Sequence, residues 1–492
     1  MPVRRRRRLT PLAVMALVVL TVLFITLPPD SPAVLAVVFN SARLRSALLP
    51  GDRDAWLSER ARYPVHLASE VGCLIKTGYG TRHRVREQLG AFAVKGGVLG
   101  DEGRDYLVVG DWEAANGTAG GDLGAAVVDA VGLVMRDERV RDSADHVRFG
   151  KYRSLRAAVE AGDELRAGEL GAKFGWELDA LKVSALRFLH HVAGIFSGTS
   201  GSLVRIDEMA SDRLKRESSL ADCFVQFIMG MELSYKRMPH KKWYLILDDD
   251  TFVVKESLEL LLSHLNPSKP QYVGNAVGDY KARFAHGGSA VIISGEAMRI
   301  LFSRPDIVRE AYVRSLDETW GDRLVATTLQ RIGVYIDERY SHYFNGEAPD
   351  MTRIRADRVC SPIVSFHGLR NPGAMVHAGT TLGKMRKPVL WGQLWELFGQ
   401  TPLESFENSV LREGDHVGPG EKEVKVWQGI KTARDCQRKC KSWCLAWAYD
   451  GQNRQCRASP WLIVGPRNNA GEVSGINTSV ARSAFRKCSL VG

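Results

Sequence analysis

The chain has 492 residues, of which 45% are hydrophobic and 25% charged, and its formal net charge is +11. This composition is typical of a globular protein with a sizeable core, and the length predicts about two or three domains. The positive charge does not indicate DNA or RNA as a partner. The arginine run at residues 4–8 abuts an apolar segment, which is typical of a topology signal, and no basic stripe with interleaved aromatic residues follows.

The first predicted element is a membrane anchor. Residues 9–27 carry no charge and follow a basic tail at residues 1–8. Nineteen helical residues are just enough to cross a bilayer, and the arginines predict that the tail stays cytosolic. A cleaved signal peptide is the alternative, but the apolar run exceeds the usual ~7–15 residues and no small-residue cleavage site follows. Either alternative sends the rest of the chain, beginning with a stem at residues 28–64, into the secretory pathway.

Two glycosylation sequons, at Asn116 and Asn477, agree with that location, although such triplets are frequent by chance.

After the stem, strand-like and helix-like segments alternate. Apolar strand segments are predicted at residues 71–75, 105–113 and 241–254, and helical spacing at residues 81–94, 175–196 and 256–265. Pro267 predicts the end of the last of these helices. The order predicts a doubly wound α/β sheet with strands buried on both faces, in which ligands bind beyond the carboxyl ends of the strands.

Three aspartates, Asp248, Asp249 and Asp250, directly follow one of these apolar runs. Like charges about 4 Å apart repel by roughly 1 kcal/mol in water, so the triplet calls for a positive partner. In an extended chain Asp248 and Asp250 point to one side and Asp249 to the other. Oxygen ligands of this kind suit magnesium or manganese, which keep positions open for substrate phosphates. A solvated turn or a helix cap is the alternative.

Four motifs in order resemble those of a known family: WYLILDDDTFV, FAHGGSAVIISGEAM, ETWGDRLVATTLQRIGV and VSFHGLR. They are similar to the successive motifs of the Fringe-like β1,3-glycosyltransferases, glycosyltransferase family 31. The segments IKTGYGTRHRVREQL and GWELDALK resemble the fungal branch. The likeness covers about residues 65–370 and implies a GT-A domain, which we place at residues 65–400. It further implies a single-pass type II Golgi membrane protein with a luminal catalytic domain, a UDP-sugar donor, Mn²⁺ or Mg²⁺, and inversion at the anomeric carbon.

The resemblance also implies roles for the acidic residues. Asp250 matches the direct metal ligand, Asp248 the other aspartate of the DxD motif, and Asp248 or Asp249 would hold the ribose. His367 matches a carboxyl-terminal histidine that completes the metal site.

Gly287 and Gly288 fall in a turn of the family where missing side chains let the backbone approach the donor sugar. A plain hairpin turn is the alternative for this pair.

Asp322 matches the catalytic base, the carboxylate that takes the proton of the acceptor hydroxyl. The sequence departs from the family pattern at Gly321 and Ala326, which leaves Glu318 and Asp317 as rival bases. Asp322 could also simply cap the helix that follows.

Further residues resemble family positions less specifically. Lys76, Thr77 and Asp111 lie at predicted strand ends, where GT-A folds hold the uridine, but ordinary loop residues would look the same. Trp176 and Lys182 also match, with core packing and a solvated side chain as their alternatives.

The eight cysteines are unevenly distributed. Cys73 and Cys223 lie singly in apolar surroundings and are predicted to be buried thiols. A cluster in the last 60 residues predicts disulfides in an oxidising compartment, with Cys360 as a possible sixth partner and zinc as the alternative. The cluster consists of Cys436, Cys440, Cys444, Cys456 and Cys488.

Residues 421–492 resemble part of a PAN or apple module, in which a short cysteine-bearing helix is linked to a small sheet. Cys436, Cys440 and Cys444 would share one helical face if the segment stays helical. Because the family resemblance ends earlier, we expect the catalytic domain to fold without this module, which could bind acceptor or serve as a structural cap. A helix around residues 391–397 is expected to pack on the catalytic domain.

The sequence therefore predicts a membrane-anchored, metal-dependent hexosyltransferase that acts on a glycan or glycoprotein. The alternative is a catalytically inactive protein of the same fold that binds sugars or serves as a scaffold.

Overall fold

The fold comes from a computed structural model. It describes Met15, Val18, Thr21, Cys488 and residues 26–48, 53–93, 98–115, 123–143, 145–170, 221–318, 320–399, 410–411, 414–418, 423–465 and 472–485. Most of the predicted anchor lies outside this description, as do Asn116, Trp176 and Lys182. In the described part, no helix is both long and apolar enough to span a membrane.

A mainly parallel sheet forms the centre of the molecule. Six of the described strands build it in the order β3-β2-β1-β4-β9-β6. The first four run parallel to one another, whereas β9 runs antiparallel to both β4 and β6. The strands are β1 (Val71–Lys76), β2 (Tyr106–Gly110), β3 (Val127–Asp129), β4 (Trp243–Asp248), β6 (Tyr272–Gly274) and β9 (Val291–Ser294). The three predicted strands are therefore confirmed as β1, β2 and β4, and the mixed α/β architecture is consistent with a GT-A-like fold.

Both faces of the sheet are buried. Successive side chains of a strand point to opposite faces, and each face packs in its own hydrophobic core. In β1, Cys73 and Ile75 pack in one core and Leu74 in the other. The first core is covered by helices His83–Ala93, Lys255–Ser263 and Pro372–Leu382. The second is covered by helices Ala130–Met135, Ala221–Arg237, Gly295–Phe302, Pro305–Ser315 and Gly321–Gln330.

The predicted helices agree with the structure where it describes them. Helix His83–Ala93 buries Val85 and Phe92, as the helical spacing predicts. Helix Lys255–Ser263 ends before Pro267, and Trp391 and Leu394 are buried against the catalytic core. The remaining α-helices of the described residues are Pro32–Leu48, Leu67–Glu70, Val147–Glu160, Leu394–Phe398, Ala433–Lys439 and Thr478–Phe485.

Short strands complete the catalytic part. β5 (Phe252–Val253) pairs antiparallel with β11 (Ser365–Phe366), and β7 (Ala276–Val277) pairs with β8 (Phe284–Ala285). The first of these pairs brings the chain after residue 366 back to the aspartates of β4.

The tail contains a second, antiparallel sheet. Five of its described strands are ordered β12-β17-β14-β15-β13. They are β12 (Val410–Leu411), β13 (Lys425–Trp427), β14 (Ala446–Asp450), β15 (Gln455–Ser459) and β17 (Glu472–Ile476). The disulfide Cys436–Cys456 links helix Ala433–Lys439 to this sheet.

The predicted disulfides are present. Cys360 pairs with Cys488, which confirms it as the sixth partner. Cys436 pairs with Cys456 and Cys440 with Cys444, so all cysteines of the cluster are in disulfides and no thiolate is left to bind zinc. Cys73 is a buried free thiol, whereas the side chain of Cys223 lies outside the description. The three cysteines do not share a helical face, because the segment does not stay helical. The helix ends at Lys439, and the Cys440–Cys444 bond closes the turn that follows it.

The tail is joined to the catalytic part by a strand pair as well as by the Cys360–Cys488 disulfide. β10 (Arg353–Arg355) pairs with β16 (Trp461–Ile463), and Ile354 lies opposite Leu462 in that pair. Both residues are fully buried in the core that also covers the central sheet. This packing argues against the expectation that the catalytic part folds without residues 421–492.

Candidate active site

The site begins where β1 and β4 end side by side. Because the strands are parallel and Lys76 lies opposite Asp248, their last residues meet at one edge of the sheet. Lys76 Nζ contacts Asp248 Oδ1 at 2.5 Å and lies 3.4 Å from the centre of the Phe227 ring. Only 3% of the Lys76 side chain is exposed. A buried ammonium group of this kind requires a partner, which Asp248 supplies.

Asp249 lies in the turn after β4, which ends at Asp248, and its carboxylate has partners of its own. Its Oδ2 accepts hydrogen bonds from Thr77 Oγ1 at 2.7 Å and Thr81 Oγ1 at 2.5 Å. Arg84 Nη1 lies 3.4 Å from its Oδ1. Burial and the nearby Asp250 charge raise the pKa of Asp249. Asp249 thus orders the turn after β4.

Asp248, Asp250 and His367 form a group that could hold a metal ion, and we call it the metal group. One ligand atom from each lies within 4.8 Å of the others. His367 follows β11, whose pairing with β5 places its Nε2 at 3.2 Å from Asp250 Oδ1. Two carboxylates and an imidazole fit a divalent cation such as Mn²⁺ or Mg²⁺.

Arg370 also reaches this group, a contact that was not predicted from the sequence. Its Nε lies 3.5 Å from Asp250 Oδ2, while 40% of its side chain remains exposed. The only signal was its position three residues after His367 in the same motif.

The two glycines of the predicted turn serve the packing of the site. They lie in a 3₁₀ turn, Gly287–Ser289, between β8 and β9, which belong to different sheets, so the hairpin alternative is wrong. A Cβ atom on Gly288 would overlap the His367 imidazole. The backbone N–H of Gly287 donates to Asp322 Oδ2 at 3.0 Å.

Asp322 lies in the first turn of helix Gly321–Gln330. Trp320 is the N-cap residue of this helix but makes no side-chain hydrogen bond to it, whereas the Asp322 carboxylate binds a first-turn N–H, so part of the capping alternative holds. The Asp322 side chain is buried and accepts hydrogen bonds from the backbone of Gly287 and, at 2.9 Å, of Arg323. Burial raises the pKa of Asp322 to about 6, and the Lys76 charge opposes this rise.

The rival acids have different partners. Glu318 forms an ion pair with Arg323 at 3.2 Å. The Asp317 side chain is 84% exposed and lies 3.7 Å from His146. Of these three acids, Asp322 is the one whose carboxylate contacts the Gly287–Ser289 turn.

Lys76 and Thr77 contact the aspartate triplet directly, whereas Asp111 binds the backbone of the turn after β1. It follows β2 and accepts a hydrogen bond from the backbone N–H of Tyr79 at 2.8 Å. It is buried, and burial raises its pKa to about 7. Asp111 therefore fixes the turn after β1 at the same edge of the sheet.

These features define a class: a mainly parallel α/β sheet, consistent with a GT-A-like fold, with carboxylates and a histidine at its carboxyl edge. The model of the Fringe-like family matches residues 216–390, about a third of the chain. The matched region contains the metal group, both glycines and Asp322, and it indicates a glycosyltransferase. Lys76, Thr77, Asp111 and the cysteine-rich tail lie outside it.

Proposed function

We propose that this protein transfers a sugar, with inversion, from a UDP-sugar to a hydroxyl group of a glycan or glycoprotein in a reaction that depends on a divalent cation. The observation that carries the proposal is the metal group beside buried Asp322 within the Fringe-like region.

The metal group supports cation dependence. A manganese or magnesium ion held by Asp250, Asp248 and His367 would neutralise charge on the departing diphosphate. Lys76 orients the Asp248 carboxylate, and Gly288 leaves room for the imidazole. The exposed side chain of Arg370 is placed to bind a diphosphate oxygen, for which a guanidinium group is well suited.

Asp322 is proposed as the general base. Its carboxylate would take the proton of the acceptor hydroxyl while that oxygen attacks the anomeric carbon from the face opposite UDP. The Gly287 N–H fixes its orientation, and a carboxylate oxygen keeps a further lone pair for the substrate. Its raised pKa makes it a stronger base than an exposed aspartate.

Residues at the same edge of the sheet are proposed to make the remaining contacts with the donor. We assign the ribose to Asp248 or Asp249, the uridine to Lys76, Thr77 and Asp111, and the donor sugar to the Gly287–Gly288 backbone. The internal hydrogen bonds of Asp249 favour Asp248 for the ribose.

A luminal location in the Golgi is also proposed, with a type II anchor at residues 9–27. The disulfides support an oxidising compartment. The β1,3 linkage, the fungal branch and the PAN or apple assignment of the tail rest on the resemblance in sequence.

The test is a donor screen. UDP-galactose, UDP-N-acetylglucosamine and UDP-glucose are each supplied with manganese and a mixture of glycan and glycoprotein acceptors, and UDP release and the melting temperature are measured. One donor should be turned over and should also raise the melting temperature, because a ligand that binds the folded state stabilises it. Stabilisation without turnover of any donor would instead support the inactive sugar-binding alternative.

A further inference from the structure

A large groove lies between the stem and the catalytic part, and we call it the basic groove. Its volume is about 1600 Å³, and helix Pro32–Leu48 and residues 53–63 form one side. Among the described residues that line it, nine arginines and lysines face three carboxylates. The cations are Arg43, Arg45, Arg53, Arg60, Arg62, Lys269, Arg283, Arg339 and Arg358.

The three carboxylates do not cancel this charge. Glu338 pairs with Arg283 at 2.7 Å and with Arg43 at 3.9 Å. Asp337 pairs with Arg339 at 2.5 Å and Glu59 with Arg62 at 3.4 Å. None of these ion pairs involves Arg45, Arg60 or Lys269, which are exposed in the described structure. The groove therefore keeps a positive field that attracts anions.

The groove leads toward the metal group. Asn275, Phe344 and Arg358 line both the basic groove and a second pocket of about 290 Å³. That pocket is also lined by Gly346 and Glu347. The carbonyl of Gly346 lies 3.4 Å from His367 Nδ1, and the carbonyl of Glu347 accepts the His367 N–H at 3.2 Å. A chain-like ligand in the groove would thus extend to the loop that supports His367.

We propose that the basic groove binds an anionic polysaccharide, bearing carboxylate or sulfate groups, as the acceptor of the reaction. This inference rests on the proposed function and names its acceptor class. A guanidinium group can donate two parallel hydrogen bonds to a pair of oxygens of a carboxylate or a sulfate group. The concave shape of the groove suits a flexible chain better than the flat surface of a membrane.

Binding to the full-length protein is measured without donor or cation, so that the result does not depend on catalysis. The probes are a heparin-derived oligosaccharide, an oligogalacturonate, a neutral dextran oligomer and phosphatidylserine vesicles. Both anionic oligosaccharides should bind, the dextran should not, and the affinity should fall as ionic strength rises.

Three variants locate the binding. Arg60→Gln with Lys269→Gln should weaken oligosaccharide binding about tenfold, because two cations are removed from the groove. Arg104→Gln with Arg141→Gln removes the same charge from exposed positions outside the groove and should leave binding unchanged. Replacing the arginines at residues 4–8 by glutamine tests the basic tail.

Several outcomes overturn the proposal: the groove variant binds like wild type, only the tail variant loses binding, or the vesicles bind and the oligosaccharides do not. UDP release is measured in parallel with donor and manganese, once with each oligosaccharide as acceptor and once with water as the only acceptor. A protein that releases UDP but binds no anionic oligosaccharide contradicts the groove assignment alone. One that binds them without releasing UDP contradicts the proposed function and the acceptor role.

Discussion

At the scale of single residues, Asp322 decides the mechanism. A general base acts on the acceptor and does not hold the donor, so Asp322→Asn should lower turnover by about 100- to 10,000-fold with donor affinity nearly unchanged. Titration calorimetry with manganese and donor, together with a UDP-release assay, measures both quantities. Glu318→Gln is the matched variant. If it abolishes turnover while Asp322→Asn is nearly wild type, the base is Glu318.

The pH dependence tests the same residue independently. Because burial raises the pKa of Asp322 to about 6, the carboxylate form is lost below that pH. The rate constant for transfer should then fall about tenfold per pH unit, as expected for one essential base. The rate is measured from pH 4.5 to 8 in wild type and in the Asp322→Asn variant. If the fall in rate at low pH persists unchanged in the variant, the titrating group is not Asp322.

The raised pKa of Asp322 also determines how its protonation affects the stability of the fold. The pKa of Asp322 is raised above its ordinary value of 3.8, so its contribution to stability is fully present below that value and is lost as pH rises through about 6. At pH 7 the buried charge is a cost, and Asp322→Asn should not lower the melting temperature. A large drop at pH 7 would mean that the residue is mainly structural.

At the scale of elements, the close approach of the Gly287–Ser289 turn to His367 is the critical contact. In Gly288→Ala, the new methyl group would displace the imidazole, so manganese should no longer raise the melting temperature. Gly90→Ala is the control, because a Cβ atom there meets nothing within 4 Å in helix His83–Ala93. Manganese stabilisation retained in Gly288→Ala would remove His367 from the metal group.

Local sequence patterns predicted the strands and helices well, but they did not predict which side chains contact one another in the site. The apolar runs of β1, β2 and β4 are visible in the sequence, and the expected proximity of Asp248 and Asp250 is present. It does not come from strand alternation, because β4 ends at Asp248. The ion pair of Lys76 with Asp248 and the approach of Arg370 to Asp250 were not predicted. These contacts depend on the strand order and on the β5–β11 pairing, which join segments more than a hundred residues apart.

At the scale of the whole molecule, the tail belongs to the folded core. Deletion from residue 421 removes β16 and would expose Ile354, which is fully buried, so the truncated protein should lose soluble expression and its melting transition. The milder variant Cys360→Ser with Cys488→Ser keeps the strand pair and should fold with a free energy of unfolding lower by roughly 2–5 kcal/mol. A stable, active truncated protein would show that the tail is a separate unit.

The central claim is that Asp250 helps to hold a cation required for donor turnover. The most direct test is UDP release as a function of manganese concentration in wild type, Asp250→Asn and the exposed control Asp142→Asn. Wild type and the control should show the same saturable dependence and lose activity with chelator, whereas Asp250→Asn should remain folded and release almost no UDP. Turnover that survives chelator in wild type, or normal turnover in Asp250→Asn, would contradict the account.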